Sequence, residues 1–274
     1  MKYIVIDIAK CIGCYNCQIT CKDEHVGNDW IPYTRPQPER HFWMKVNELE
    51  RGILPKVRVD WIPILCMHCE DAPCATVCNE HAIYIRSDGI VIIDPEKCKG
   101  TGKCIEACPY GVIYFNDKLN ISQKCTMCAH LLDEGWEEPR CVRACPTEAL
   151  KYGDSKDIQH LLKKAEIFPP KNNKPKPKVK VFYIGLPSRF IAGEVYSPKE
   201  DKCIEGATVT AKDLTTNESF AAKTNNYGDF WLEKLNDSIY SLIVEKEGYY
   251  PKEINSISTM KDVNLGEIKL YKRL

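Results

Sequence analysis

The sequence predicts an α+β protein in two parts: a cysteine-rich N-terminal domain of short strands and loops, then an all-β sandwich. Three observations carry this. Fifteen of the sixteen cysteines lie between Cys11 and Cys145, and the last 129 residues hold only Cys203. The stretch Pro169-Pro170-Lys171-Asn172-Asn173-Lys174-Pro175-Lys176-Pro177-Lys178 has the composition of an extended, solvated linker. Beyond it, short β-rich runs alternate with turns, the pattern of a small sandwich. The predicted division is 1–168, a linker over 169–180, and 181–274.

The elements follow in order. Tyr3–Ile8 is β-rich and runs into Cys11. Ile83–Arg86 and Ile90–Ile93 flank Ser87-Asp88-Gly89, and Asp-Gly between β-branched runs signals a hairpin. Val112–Phe115 reads as another short strand before a turn at Asn116-Asp117. Asp154 to Glu166 predicts a helix, capped by Asp154 or Ser155, with Ile158, Leu161, Leu162 and Ala165 on one face. After the linker, strands are expected over Phe190–Tyr196, Ala207–Lys212, Ser219–Thr224, Asp229–Leu232 and Ser241–Glu245.

Composition excludes several classes. There are 38 basic and 38 acidic residues, so nucleic acid is not an implied partner. The opening MKYIVIDIAKC lacks the apolar core and cleavage site of a signal peptide. No apolar run approaches the roughly 18–20 residues that span a bilayer. The expectation is a cytoplasmic chain without direct membrane insertion. No Ser/His/Asp grouping, Walker loop or dinucleotide fingerprint appears, so no catalytic residues are assigned.

The cysteines fall into four groups. Cys11, Cys14, Cys17 and Cys21 are spaced C-x2-C-x2-C-x3-C. Cys66, Cys69, Cys74 and Cys78 have four residues in the middle gap. Cys98, Cys104 and Cys108 form the third group. Cys125, Cys128, Cys141 and Cys145 have a twelve-residue middle gap. The first spacing is that of bacterial ferredoxins, where the fourth cysteine ligates the other cluster of a pair. Three cysteines on one loop can wrap three irons of a cubane, while the fourth lies on a helical turn pointing away. The endings Cys108-Pro109-Tyr110-Gly111, Cys145-Pro146-Thr147-Glu148 and Cys78-Asn79-Glu80-His81 repeat one another.

That rule predicts two interleaved two-cluster modules. The second and third groups, separated by one hairpin, pair with each other, and the first pairs with the fourth. One [4Fe-4S] cluster takes Cys11, Cys14, Cys17 and Cys145. A second takes Cys125, Cys128, Cys141 and Cys21, and a third takes Cys66, Cys69, Cys74 and Cys108. The fourth site would use Cys78, Cys98 and Cys104, but Thr101 stands where a cysteine is expected. A neutral hydroxyl is a poor iron ligand beside thiolate. No cluster, a three-iron cluster, or a cubane with a non-cysteine ligand are all open there, and the expectation is no cluster. Zinc also uses C-x2-C pairs, but not this repeated C-x3-C-Pro ending. His68, Tyr15 and Tyr110 read as packing around clusters, and Cys203 as a buried thiol.

Several stretches carry a resemblance: Cys11-Ile12-Gly13-Cys14, Trp61-Ile62-Pro63-Ile64-Leu65-Cys66-Met67-His68-Cys69-Glu70-Asp71, Cys108-Pro109-Tyr110-Gly111-Val112 and Lys124-Cys125-Thr126-Met127-Cys128. With the insert His41-Phe42-Trp43-Met44-Lys45-Val46-Asn47, the first 150 residues resemble the iron–sulfur subunits of the dimethyl sulfoxide reductase family of molybdopterin oxidoreductases. Ile191-Ala192-Gly193-Glu194-Val195, Gly206-Ala207-Thr208-Val209, Thr224-Asn225-Asn226-Tyr227-Gly228-Asp229-Phe230 and Gly248-Tyr249 resemble carboxypeptidase-regulatory-like, or prealbumin-like, sandwich modules. The resemblance implies an electron-transfer subunit in a heterodimer with a large catalytic chain that holds molybdopterin guanine dinucleotide. The appended sandwich is similar to that of subunits serving hydroxyl transfer between phenols. The rivals are a subunit of another molybdopterin reductase or dehydrogenase, and a freely diffusing polyferredoxin.

Overall fold

The computed structural model describes residues 1–171 and 174–273. The chain forms two compact units: Met1–Glu48 with Trp61–Leu186, and Leu49–Asp60 with Pro187–Leu274.

The first unit is anchored by a three-stranded sheet of β1 (Lys2–Asp7), β8 (Leu150–Asp154) and β9 (Val181–Ile184), in the order β8-β1-β9. β1 is antiparallel to β8 and parallel to β9. Ile4, Val5 and Ile6 are all buried, which explains a continuous apolar run rather than alternation in this central strand. Between β1 and β8 lie helix α1 (Asn16–His25), the long hairpin β2 (Lys45–Ile53) and β3 (Lys56–Ile64), and α2 (Pro73–Thr76). The hairpins β4 (Ile83–Ile85)/β5 (Val91–Ile93) and β6 (Tyr114–Asn116)/β7 (Ile121–Gln123) follow, with α3 (Lys103–Ala107) between them. Two short helices, α4 (Ala129–Asp133) and α5 (Arg140–Arg143), lead into β8. α2, α3 and α5 are each about one turn around a single cysteine: Cys74, Cys104 and Cys141.

Two expectations change here. The helix expected over Asp154–Glu166 shrinks to α6 (Gln159–Leu162), and of its proposed face only Ile158 is buried. Asp154 ends β8 and binds the N-terminal ammonium and Lys2 instead of capping a helix. Glu166 then exchanges both backbone hydrogen bonds with Tyr183, which holds the chain extended. The stretch expected as a solvated linker runs along the first unit. Lys171 N donates to Pro109 O, Glu70 N to Lys178 O, and Lys180 N to Met67 O. Lys178 N donates to the Asp71 carboxylate at 3.1 Å, so several of the stretch's non-proline N–H groups find acceptors on the first unit. Asn172 and Asn173 of that stretch lie outside the described residues. The division between the units falls at Leu186–Pro187.

The second unit is a sandwich. One sheet holds β10 (Arg189–Ser197), β11 (Lys202–Cys203), β14 (Asp229–Leu235) and β17 (Val263–Lys269). The other has the order β13-β12-β15-β16, from β12 (Thr208–Asp213), β13 (Ser219–Lys223), β15 (Ile239–Glu245) and β16 (Lys252–Ser258). Val209, Ala211, Leu242 and Val244 alternate inward against Ile191, Val195, Phe230 and Leu232, the period of two that a one-sided sheet requires. Residues 49–60, the tip of the β2/β3 hairpin, are counted with this unit.

Candidate metal centres

Each cysteine loop bends in the same place. The residue two after the first cysteine is left-handed in all four: Gly13 (φ 65°), His68 (φ 44°), Gly100 (φ 67°) and Met127 (φ 54°). The bend turns backbone N–H groups toward sulfur. His68 N donates to Cys66 Sγ at 3.5 Å and Met127 N to Cys125 Sγ at 3.3 Å. Two non-glycine residues hold a conformation that L side chains disfavour, as happens at sites where backbone geometry serves a ligand. Gly13 has a further constraint: a Cβ there would stand 2.4 Å from the Trp61 ring. The repeated endings share a second bend, at His81 (φ 48°), Gly111 (φ 65°) and Glu148 (φ 54°).

Topology gathers the groups. β1 enters the Cys11 loop and β8 leaves Cys145, so their antiparallel pairing, Ile6 opposite Leu150, carries both ends of the cysteine series to one place. Asn16 Nδ2 ties the two loops by donating to Ala144 O at 2.6 Å. The thiols of Cys14 and Cys145 lie close enough to Cys11 and Cys17 to push both of those up, with burial the larger cause. Cys21 lies with Cys125, Cys128 and Cys141. Cys66, Cys69, Cys74 and Cys108 form the third set, and Cys78, Cys98 and Cys104 the fourth. Neighbouring sets come within electrostatic range of one another in a row: Cys17 with Cys141, Cys66 with Cys125, and Cys74 with Cys104. Cys14, at one end of the row, is exposed.

These thiols suit a positively charged core. Burial first, then the neighbouring thiols, pushes Cys17 and Cys74 up to about 12. Cys21 and Cys141 are driven well above the usual thiol range for the same reasons. Crowded thiolates in a low-dielectric interior require cationic compensation, which the irons of a bound cluster would supply. At Cys145, burial raises the thiol but hydrogen bonds from Leu150, Thr147 and Ala149 outweigh it, leaving the group below its ordinary value. Among the described residues no three His, Cys, Asp or Glu side chains close up to the spacing of a single-ion site. A cubane, with its irons at separate corners, spreads its thiolates farther than one tetrahedral ion does.

The third and fourth sets enclose similar space. The cavity walled by Cys66, Cys69, Cys74, Cys108 and Val91 is about 20 Å³. That walled by Cys78, Cys98, Thr101, Cys104 and Ser122 is also about 20 Å³. Packing has not closed the fourth site, so what separates the two is the ligand set. Thr101 is exposed. Ser122 N donates to Cys98 Sγ at 3.4 Å, and the Ser122 hydroxyl offsets part of the upward push of burial on Cys104.

His68 is fully buried, and its Nδ1 accepts from Val91 N at 3.0 Å. Burial, then Lys124 and Lys180, keeps its pKa well below the usual histidine value. Tyr110 is buried against the third set, whereas the Tyr15 hydroxyl donates to Glu48 Oε2 at 3.4 Å. Cys203 is half-buried rather than buried, and its thiol donates to Glu194 Oε1 at 3.2 Å. Sequence reasoning assigned no role to Lys124. Its signal was there: a lysine directly before a C-x2-C pair, following the buried strand β7.

An aromatic cluster backs the second set. His25 packs on Trp43 at 4.8 Å and on His130 at 5.4 Å between ring centroids. Burial, then His130, lowers the His25 pKa to about 3. Unfolded histidine takes up a proton near pH 6.5 and folded His25 does not, so stability should fall as pH drops from about 6.5 toward 3. The expected slope from this residue is at most about 1.4 kcal/mol per pH unit. Anaerobic denaturant unfolding between pH 7 and 5 should show it, and His25→Phe should flatten it. Equal slopes in the two proteins would rule the account out.

Comparison with known proteins agrees with both units. Residues 57–155 match the family described as a 4Fe-4S dicluster domain, and residues 191–270 the carboxypeptidase regulatory-like domain. The chain is 39% identical to the pyrogallol hydroxytransferase small subunit of Pelobacter acidigallici, over 98% of each. It is 32% identical to the arsenate respiratory reductase iron–sulfur subunit of a Shewanella species, over 57% of this chain and 82% of that one. The formate dehydrogenase iron–sulfur subunit of Wolinella succinogenes is 35% identical over 57% and 83%. Among solved structures, Klebsiella pneumoniae 5-hydroxyisourate hydrolase overlays 31% of this chain with 99% of its own, at TM-score 0.26 and 17% identity. With its cysteine loops in place and a relative matched from end to end, the chain belongs to the iron–sulfur electron-transfer subunits of the dimethyl sulfoxide reductase family of molybdopterin oxidoreductases.

Proposed function

We propose that this chain carries three [4Fe-4S] clusters in crossed pairs and serves a large molybdopterin catalytic subunit that transfers hydroxyl groups between phenols, pyrogallol to phloroglucinol. The ligands are Cys11, Cys14, Cys17 and Cys145; Cys21, Cys125, Cys128 and Cys141; and Cys66, Cys69, Cys74 and Cys108. The fourth position, with Thr101 in place of a thiolate, holds no cubane. The complex works as a cytoplasmic heterodimer. Among the described residues no helix is long and apolar enough to cross a membrane.

The observation that carries the substrate class is the end-to-end similarity to the hydroxytransferase small subunit, sandwich included. Clusters move single electrons, whereas hydroxyl exchange between phenols is redox-neutral overall. The row of clusters therefore primes or rescues the molybdenum rather than feeding each turnover. The test is anaerobic purification with the partner. About twelve irons and twelve labile sulfides per chain are expected, with molybdenum on the large subunit and conversion of pyrogallol. An iron count near sixteen, or a three-iron EPR signal on oxidation, defeats the cluster assignment. A membrane-anchor partner with no phenol chemistry defeats the substrate assignment.

A further inference from the structure

Among the described residues, one buried charge in the first unit has no counter-charge. Lys124 is 2% exposed. Its ammonium donates to the carbonyls of Val91 and, at 3.0 Å, Cys125. Among the described residues no carboxylate lies within ion-pair distance of it. Lys180, equally buried, shows the usual solution: its ammonium reaches Glu70 Oε1 at 3.4 Å. Neutral carbonyls alone do not compensate a desolvated ammonium, and buried charges in proteins are ordinarily paired.

The position supplies the missing partner. Val91 walls the cavity of Cys66, Cys69, Cys74 and Cys108, and Cys125 belongs to the neighbouring set. An ammonium has three donors. Two go to carbonyls, and the third is in reach of Cys66. A cubane with four thiolates is negatively charged, and each electron it accepts adds one unit more.

We propose that Lys124 is the buried counter-ion of the cluster on Cys66, Cys69, Cys74 and Cys108, and that its charge holds that cluster's reduction potential up. This rests on the cluster assignment above. The reduced cluster gains more from a nearby cation than the oxidised one, so removing the cation favours oxidation. Lys124 is a positioning and tuning residue; it ligates nothing.

The test is a dithionite redox titration of the intact complex, followed by EPR, in which each cluster takes one electron from the reductant. Lys124→Met should lower one cluster's midpoint at least tenfold in its reduction equilibrium, about 59 mV for one electron. Lys124→Arg, which keeps the charge, should restore most of that shift. Lys212→Met, on the exposed face of β12, is the control. Iron analysis of the unaltered protein separates the outcomes: a wild-type count far from twelve faults the cluster assignment, not this inference. With wild-type loading, a Met variant that keeps its iron and shifts no further than the control overturns the proposal. If Met and Lys124→Gln both lose iron while Arg retains it, the charge requirement stands. If all three lose iron alike, the lysine acts by shape and the proposal fails.

Discussion

Cys145→Ala should remove four of about twelve irons, and the cluster lost should be the one built on Cys11, Cys14 and Cys17. In sequence, Cys145 closes the Cys125 group. In the structure its thiol lies with Cys11 and Cys17. An uncrossed arrangement would remove the cluster of Cys125, Cys128 and Cys141 instead. Comparison with Cys11→Ala decides, because two ligands of one cluster act as a unit. The single variants should lose the same EPR component, and Cys11→Ala/Cys145→Ala should lose no more iron than either. Loss of eight irons in the double variant would show that the two cysteines serve different clusters.

Arg51→Met should destabilise the second unit by about 3–5 kcal/mol, as removal of one partner from a buried ion pair does. Arg51 is reached by both oxygens of Asp262 at 3.0 Å and by Asp60 Oδ2 at 2.8 Å, and it also donates to Ser188 O at 2.8 Å. Its side chain is 10% exposed and that of Asp262 5%. Taking the guanidinium away leaves the Asp262 carboxylate buried with, among the described residues, only the Phe190 N–H to accept from, at 3.1 Å. Differential scanning calorimetry should show a lowered sandwich transition, with iron content unchanged. Arg51→Lys should recover little, since one ammonium cannot reproduce the fork that spans Asp60 and Asp262. A loss below about 1 kcal/mol would place this pair with exposed ion pairs.

Local chemistry was the legible part of the sequence. A C-x2-C spacing, an Asp-Gly turn and an alternating strand each depend on a few adjacent residues, and each appears where the spacing puts it. The β4/β5 hairpin and the strands around Val209, Phe230 and Leu242 are of this kind. What escaped depends on residues far apart. β9, just past the stretch that reads as linker, was not read as a strand of the first unit, because its reason for being there is β1, at the other end of that unit. The helix over Asp154–Glu166 was predicted from a local cap and periodicity, and the pairing of Glu166 with Tyr183 overrode it. The β2/β3 hairpin carries exposed, charged positions such as Glu48 and Glu50, so its pattern showed no buried face. Arg51 there gains its meaning only from Asp262. Lys124 was read as part of a motif, and its lack of an acidic partner is visible only in three dimensions.

The antiparallel pairing of β1 with β8 also bears on how the protein is made and unmade. On the proposed ligation, one inorganic core bonds Cys17 to Cys145 and so cross-links the chain around about two-thirds of the first unit. A bond that closes a loop of that order restricts the denatured chain by about 5 kcal/mol in the chain-entropy treatment used for disulfides. The same bond sets an order of assembly. The N-terminal cluster has three of its ligands as soon as synthesis begins, yet must wait for Cys145 to be complete.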